Sequence, residues 1–587
     1  MCIMLDYICG QLNETLKPKT SIMKIKNYLF ATILLLFASN LIAQTHYAEW
    51  VETIESINHG NTNINNVLHD GTDLIVNGSY LNGEGSFLGQ ALPGGGGSNG
   101  LIAKLTTEGA LLWATTLTGD NFGGFFDMAL DGDNNIVLAG WNTSLDTIKV
   151  NGEPVIINNG QWFTFGMIMK ISGTDGSLMW FRYMTSTEYA YLNPTKLTID
   201  ENDEIFVTGY YNCPFQIDQI DFPYTHEWGD NIFFLKLNEE GTAIWGTYLS
   251  AASNGAFAGI RSMASNEEAF YCSFEYSAPY IVNGEPLPYT GEYYWLSLLK
   301  VSKESGEIIA VNPFGGVGGQ AIQDIALDNS GNVVAVGYFD AANPLTIGST
   351  TLQGIGDNDG FIFKCDPDLN FLWAKSMGGE YTDRAFNVTT DASNRIYIGG
   401  GFDCFTDFQY DGIIVLPSRM PNSLSNFLVV TDGNGQFLNS AGMYGENVET
   451  TISFASADLV RDRENIAVYC GGYFYNYVEF VEGETLFGNH NIGYIYKWDI
   501  DVLTAIENPG SPDASFSVYP NPFTDFIQVN LSGRSAKVEI FNTLGAKVAS
   551  SEIKDSGAIS LKQTKPGTYF IRLTNEHLVQ TLKIIKH

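Results

Sequence analysis

Apolar and polar residues alternate in short runs through most of this chain, without a sustained 3.6-residue period, and Asp-, Asn- and Gly-rich breaks separate the runs. That pattern predicts β-strands joined by tight turns. It is plainest in MALDGDNNIVLAG from Met128, LTIDENDEIFVTG from Leu197, IALDNSGNVVAVG from Ile325 and VTTDASNRIYIGG from Val388. Each reads as two strands around a hairpin turn. A variable stretch such as KVNGEPVI or IVNGEPLP follows the hairpin. A third strand comes next (LIAKL, GMIMKI, FFLKL, LSLLKV, FIFKC, FLVVT, YIYKW) and leads into a fourth that carries Trp.

The tryptophans set the period. LTTEGALLW ends at Trp113, SGTDGSLMW at Trp180, LNEEGTAIW at Trp245 and DPDLNFLW at Trp373, with Trp50 opening the series. The same phase falls on Ile309 in SKESGEII and Leu438 in DGNGQFL, giving successive spacings of 63, 67, 65, 64, 64 and 65 residues. A four-stranded twisted sheet with two apolar faces cannot bury both alone. Radial stacking buries them and leaves no long open edge. Seven phases over residues 46–500 therefore predict an all-β seven-bladed β-propeller, six or eight blades being the alternatives. The chain enters on a lone Trp-type strand, HYAEWVETI, and leaves on a lone partner strand, GYIYKWDI. These two are expected to pair and close the last blade.

With those motifs in place, the K-h-x-x-x-x-G-x-x-x-W turn followed by D-x-x-G/N-N-h-h-h-x-G resembles secreted bacterial propeller repeats. These are the seven-bladed type found in surface proteins of the Bacteroidetes. It is also similar, distantly, to the tryptophan-docking motif of quinoprotein dehydrogenases. The resemblance covers about 455 residues of the chain and speaks to fold, not activity.

The two ends read differently from the middle. Tyr28–Ala38 is an eleven-residue apolar run preceded by Lys24 and Lys26 and followed by Ala43-Gln44, the build of a cleavable secretory signal over residues 1–44 with Met23 as the natural start. The run is too short to span a membrane. No Cys stands near the cleavage point, so no lipid anchor is expected. At the other end, DVLTAIENPGSPDAS (501–515) reads as a linker. Net charge then changes sign, from −41 over residues 45–515 to +4 over 516–587. Such a switch marks a domain boundary. Residues 516–587 hold seven short alternating segments, expected to form a small immunoglobulin-like β-sandwich. Tyr519-Pro520-Asn521-Pro522-Phe523, the FNTLGAKV segment, Pro566-Gly567-Thr568-Tyr569 and the basic end with Lys583 and Lys586 resemble the type A C-terminal sorting domain of the type IX secretion system. That resemblance implies passage through the periplasm and outer membrane, with the secretion machinery and its sortase as partners. It also implies a mature protein released or attached at the cell surface.

Chemical motifs are sparse. The formal charge of −35 argues against a nucleic-acid or anionic-membrane partner. None of the seven histidines stands at zinc-ligand spacing, and neither a GxSxG elbow nor a P-loop occurs. Gly315-Gly316-Val317-Gly318-Gly319 is read as loop packing, because no helix follows it. Cys213, Cys272, Cys365, Cys404 and Cys470 read as small core residues. DGDNN (Asp131–Asn135) is similar to the opening of a calcium loop, and Asp200, Asp328 and Asp391 take the same place, with Arg461 or His69 there in two units. Turn formation is the preferred reading, since calcium needs six to eight oxygens. No cofactor is expected.

Two functions remain open for the ring. One is a binding or scaffold module for an extracellular glycan or protein, with Trp162, Trp228, Tyr289, Tyr293, Tyr294 and Trp295 available to stack on sugars or to anchor loops. The other is a carbohydrate-active hydrolase or lyase with carboxylates along the axis.

Overall fold

A computed structural model describes residues 50–499 and 517–586, apart from 57–59, 82, 95–96, 120–122, 143–146, 157–164, 185, 187–190, 225–228, 292, 316–317, 404, 417, 419–423, 444–450, 457–466, 482–483, 520–525, 543–546, 566 and 575–578. The proposed signal segment, the linker, Cys404 and Arg461 lie outside the described residues. Among those described, every regular element is a β-strand, as expected, and pairing is antiparallel except at isolated bridges.

Four-stranded antiparallel sheets follow one another along the chain. The first holds Thr62–His69, Asp73–Leu81, Ser98–Thr106 and Leu111–Thr118. The next holds Gly124–Leu130, Ile136–Asn142, Phe165–Ile171 and Leu178–Met184. The strand order recurs in the sheets that begin at Leu192–Ile199, Gln320–Leu327 and Arg384–Thr390. In a further sheet, the first strand is split into Ala258–Gly259 and Met263–Ser265. The last begins at Thr451–Ser456, continues through Ala467–Val481 and Glu484–Asp499, and takes its fourth strand from the other end of the chain. Trp50–Ser56 pairs with Glu484–Asp499, Trp50 opposite Lys497, as the lone-strand pattern predicts.

First strands pack on one another in sequence. Thr62–His69 lies against Gly124–Leu130, which lies against Leu192–Ile199. The contacts then run through Met263–Ser265, Gln320–Leu327, Arg384–Thr390 and Thr451–Ser456, and the last returns to Thr62–His69. Buried apolar clusters fill the spaces between neighbouring sheets. Val137 and Ile168 of one sheet, for example, meet Ile205 and Leu235 of the next.

Indoles join these sheets at their outer strands. Trp113 Nε1 donates to the carbonyl oxygen of Gly173 (3.3 Å), Trp180 to Glu239 (3.0 Å) and Trp245 to Lys303 (3.2 Å), each in the following sheet. Each of these rings, and that of Trp373, also lies on a glycine of the following turn. Gly176, Gly241, Gly306 and Gly435 have φ of 71°, 76°, 75° and 72°, and a Cβ on Gly176 would stand 2.6 Å from the Trp113 ring. Conformation and space both demand glycine there.

Strand register corrects two sequence assignments. Trp113, Trp180, Trp245 and Trp373 pair with Lys104, Lys170, Lys236 and Lys364, and the residue opposite Lys300 is Ala310. Asn439, opposite Val430, takes the place in the sheet after that of Trp373. The Trp phase therefore falls on Ala310 and Asn439, not on Ile309 and Leu438. A one-residue slip moves a side chain to the other face. Ile309 accordingly belongs with the half-exposed Leu112, Met179, Ile244 and Leu372 that precede the docking position. The same slip replaces His69 by Asp70. It is Asp70 that accepts from the turn (Thr72 N, 2.9 Å) and pairs with Lys104 (2.6 Å).

The variable stretches are short hairpins. Ile148–Val150 and Glu153–Ile156 lie between the second and third strands of one sheet but pair with the outer strand of the sheet before, Val150 opposite Leu117. Phe408–Tyr410 likewise pairs with Phe371–Gly378, and Gly85–Phe87 with Trp50–Ser56. Positive φ at Asn151-Gly152, Asn283-Gly284 and Asp411-Gly412 gives these hairpins the tight turn whose twist matches the flanking strands.

The C-terminal segments join differently from expectation. Ser517–Tyr519, Phe526–Asn542, Lys547–Ser560, Gly567–Thr574 and Val579–Lys586 are five strands of one hydrogen-bonded sheet. Two pairs of the seven anticipated segments run together. The register jumps between Asn530 and Ser535, where LSGR bulges without ending the strand.

Candidate functional site

The first strands share an irregularity that builds a cavity between them. Register shifts occur between Ile64 and Asn66, Phe125 and Asp127, Pro194 and Lys196, Ile322 and Asp324, and Ala385 and Asn387. Each is a β-bulge, which re-aims the extra side chain and frees a strand N–H. The skipped residues Asn65, Phe126, Thr195, Gln323 and Phe386 all line one cavity of about 390 Å³. Tyr210, Phe257, Arg261 and Glu275 complete much of its wall.

The residue after each bulge is polar, and these side chains tie one sheet to the next. Asp127 Oδ2 accepts from Leu197 N (2.9 Å), and Asp324 Oδ2 from Val388 N (2.9 Å). Ser262 Oγ accepts from Ile325 N (3.0 Å) and donates to Asp324 Oδ1 (2.6 Å). Freed strand N–H groups are thereby satisfied by the preceding sheet. Lys196 pairs with Asp127 (3.5 Å) and Arg261 with Glu275 (2.8 Å). Burial raises the pKa of both Asp127 and Asp324, and the Lys196 charge and the accepted hydrogen bonds only partly offset it. Burial also raises Tyr210. With their oxygens engaged in strand and side-chain bonds, Asp127 and Asp324 are fixed in place. Beside these paired charges, uncharged groups make up most of the cavity lining, and Asn387 Oδ1 is buried without a hydrogen-bond partner.

Sequence reasoning did not single out this belt, although its signal is present. A polar residue stands four positions before each turn Asp or Asn: Asn66 before Asp70, Asp127 before Asp131, Lys196 before Asp200, Ser262 before Asn266, Asp324 before Asp328 and Asn387 before Asp391.

The turn aspartates do local work. Asp131 Oδ1 accepts from Asp133 N (3.0 Å) and Asn135 N (2.7 Å), while Oδ2 meets Lys170 Nζ at 2.7 Å. Asp328 repeats this with Ser330, Asn332 and Lys364, and Asp391 with Ser393 and Arg395. Among the described residues, no three His, Cys, Asp or Glu side chains are grouped to hold a metal.

Of the aromatics singled out from sequence, Tyr293 and Tyr294 are exposed and Tyr289 is half-buried. Trp295 packs on the core with its indole N–H on Thr290 Oγ1 (3.4 Å). Trp162 and Trp228 lie outside the described residues. Cys213, Cys272 and Cys365 are buried. In the C-terminal sheet, Tyr519 pairs with Gln528, Lys583 with Phe570, Gly567 with Lys586 and Thr568 with Ile585. Tyr569 is buried, its hydroxyl donating to Lys565 O (2.6 Å). Lys586 is also buried, its ammonium donating to the carbonyls of Leu561 (2.6 Å) and Thr564 (2.8 Å). Pro520–Phe523 lie outside the described residues.

Comparison with known proteins gives a family for this last segment. Residues 517–587 match the secretion system C-terminal sorting domain. The chain is accordingly exported, to the cell surface or beyond it, and engages the type IX secretion machinery. Among the described residues, no helix is long and apolar enough to cross a membrane. No curated protein matches the chain. Similar solved structures include a protein of unknown function from Dyadobacter fermentans (13% identity, TM-score 0.33, covering 64% of this chain and 95% of that one). The acylaminoacyl peptidase of Pyrococcus horikoshii is another (8% identity, TM-score 0.34, 80% of this chain and 58% of that one). A third is PorZ of Porphyromonas gingivalis, an essential surface component of that bacterium's type IX secretion system (10% identity, TM-score 0.14, 92% of this chain and 100% of that one).

Proposed function

We propose that residues 45–500 form a seven-bladed β-propeller that acts as an extracellular binding module for a glycan or protein, delivered by the sorting domain at 516–587 after removal of a signal over 1–44. Seven four-stranded sheets, contacts between first strands that return to the start, and a last sheet completed by Trp50–Ser56 support the ring. One observation carries the binding role: bulges in successive first strands turn uncharged side chains toward a single cavity, while most charged side chains around it are paired or hydrogen-bonded. A scaffold that holds such groups rigidly around a concavity is suited to ligand recognition.

A hydrolase or lyase is the second reading, favoured by Asp324, a carboxylate of raised pKa in the cavity wall, and by Asp127, also raised, which pairs with the wall residue Lys196. Screening the purified full chain on glycan and protein arrays, with polysaccharide turnover assayed alongside, separates the two. Ligand capture without turnover supports the binding module. Turnover abolished by Asp324→Asn replaces it with the enzyme.

A further inference from the structure

The lining of the cavity has a chemical character that narrows its ligand. We infer that the cavity takes a neutral saccharide, a conclusion that rests on the reading of this ring as an extracellular binding module. Sugar rings present apolar C–H faces edged by hydroxyls. A complementary site therefore offers aromatic faces beside amide and hydroxyl groups, and needs no net charge.

The five skipped residues match that description. Phe126 and Phe386 supply rings, Asn65 and Gln323 amides and Thr195 a hydroxyl, and all line the cavity. Phe126 is 40% exposed and Phe257, also in the wall, 39%. Beside Phe386 stands Asn387, whose buried amide oxygen has no partner within the protein. An unpaired buried acceptor is costly, and a ligand hydroxyl would relieve it.

Charge argues against the alternatives. The charges of Lys196 and Arg261 are already balanced by Asp127 and Glu275, which weakens their pull on a uronate or sulfate. The surrounding segment carries a net −41, a field that repels polyanions on approach. A cationic ligand would need an uncommitted carboxylate, and both oxygens of Asp324 already accept hydrogen bonds. The volume of about 390 Å³ lies at the small end of the range for small-molecule sites, which favours a chain end or a short stretch over a long polymer groove.

The test is calorimetric titration of the full chain with neutral gluco-, manno- and xylo-oligosaccharides and, in parallel, oligogalacturonate and oligoguluronate. At least one neutral series should bind and the uronates should not. Phe126→Ala and Phe386→Ala should each weaken that binding roughly tenfold or more, as truncating a central aromatic anchor does. Phe126→Tyr should retain it. Near-ultraviolet circular dichroism confirms that each variant is folded, and the exposure of Phe126 makes its replacement tolerable. Neutral-sugar binding that ignores both Phe variants, or uronates bound as tightly, overturns the assignment. Capture of a protein with no saccharide bound also overturns it but leaves the binding-module reading standing. Silence towards every ligand class would defeat both.

Discussion

At the scale of single residues, the carboxylates fall into two sets whose protonation acts on stability in opposite directions. Burial alone would raise Asp131, Asp328 and Asp391, but donors from their own turns and from Lys170, Lys364 and Arg395 outweigh it and hold them low. Their contribution is present above the unfolded value near 3.9 and is lost as pH falls through the folded one. Asp359 and Asp383 are pushed up to about 6 and about 7, chiefly by burial, and for Asp383 also by the charges of Asp359 and Asp403. Theirs is present in full below about pH 4 and lost as pH rises through 6 to 7. Thermal unfolding across pH 3 to 9 should therefore peak between the two windows, on the acid side of neutrality. Asp383→Asn should flatten the alkaline limb, and an unchanged limb would refute the assignment. Replacing Asp328 by Ala removes the carboxylate paired with the buried Lys364 ammonium, leaving it the Gly433 carbonyl, and should cost about 3–5 kcal/mol in denaturant titration.

Strands and sheets add a constraint that no single residue shows. Where Ala310 stands in place of Trp, the residue in place of the docking glycine is Leu369, buried and left-handed at φ 66°, and the two belong to one cluster. A large ring on a bare backbone has been exchanged for a bare strand under a large side chain. Filling the gap thus outweighs the strain of a non-glycine residue at positive φ. The exchange makes a double-mutant cycle informative. Ala310→Trp alone should overpack, Leu369→Gly alone should leave a cavity, and each should lower stability by about 1–4 kcal/mol. The double variant should recover part of that loss, with a coupling of about 1 kcal/mol or more. Additive losses would show that the two positions do not share a space. Trp180→Ala, with no such compensation, should cost about 3–5 kcal/mol.

This scale also shows what the sequence makes legible. Hairpins, the docking strand and the closing pair Trp50–Lys497 could be read, because alternation and Asp-Gly turns are local signals. The phase at Ala310 could not, since Ile309 is the more apolar residue and looks like the better substitute for Trp. It is the register against Lys300 that decides. The bulges escaped for a related reason. A bulge is a relation between two strands, and along one strand it looks like ordinary alternation with a polar residue out of place. Asp127 and Asp324 consequently passed unnoticed among so many acidic residues.

For the whole molecule, address and architecture reside in different segments. Deleting residues 516–587 should leave a folded product that accumulates inside the outer membrane, which fractionation and protease shaving of cells would reveal; its appearance in the medium would count against the sorting assignment. Deleting residues 45–56 should do the reverse, leaving the address intact but the last sheet one strand short. Its melting temperature should fall by several degrees, and an unchanged one would show that the strand is dispensable.

Trp50 finds Lys497 across 447 residues, a separation whose closure entropy is roughly 5 kcal/mol before any contact offsets it. Trp50–Ser56 can meet Gly85–Phe87 early, but its pairing into the last sheet must wait until Lys497 has been made. The export address begins only twenty residues beyond Lys497. A chain cut short by a ribosomal error thus lacks both its clasp and its passport. Its opening strand is left with an unpaired edge, and it carries no export address.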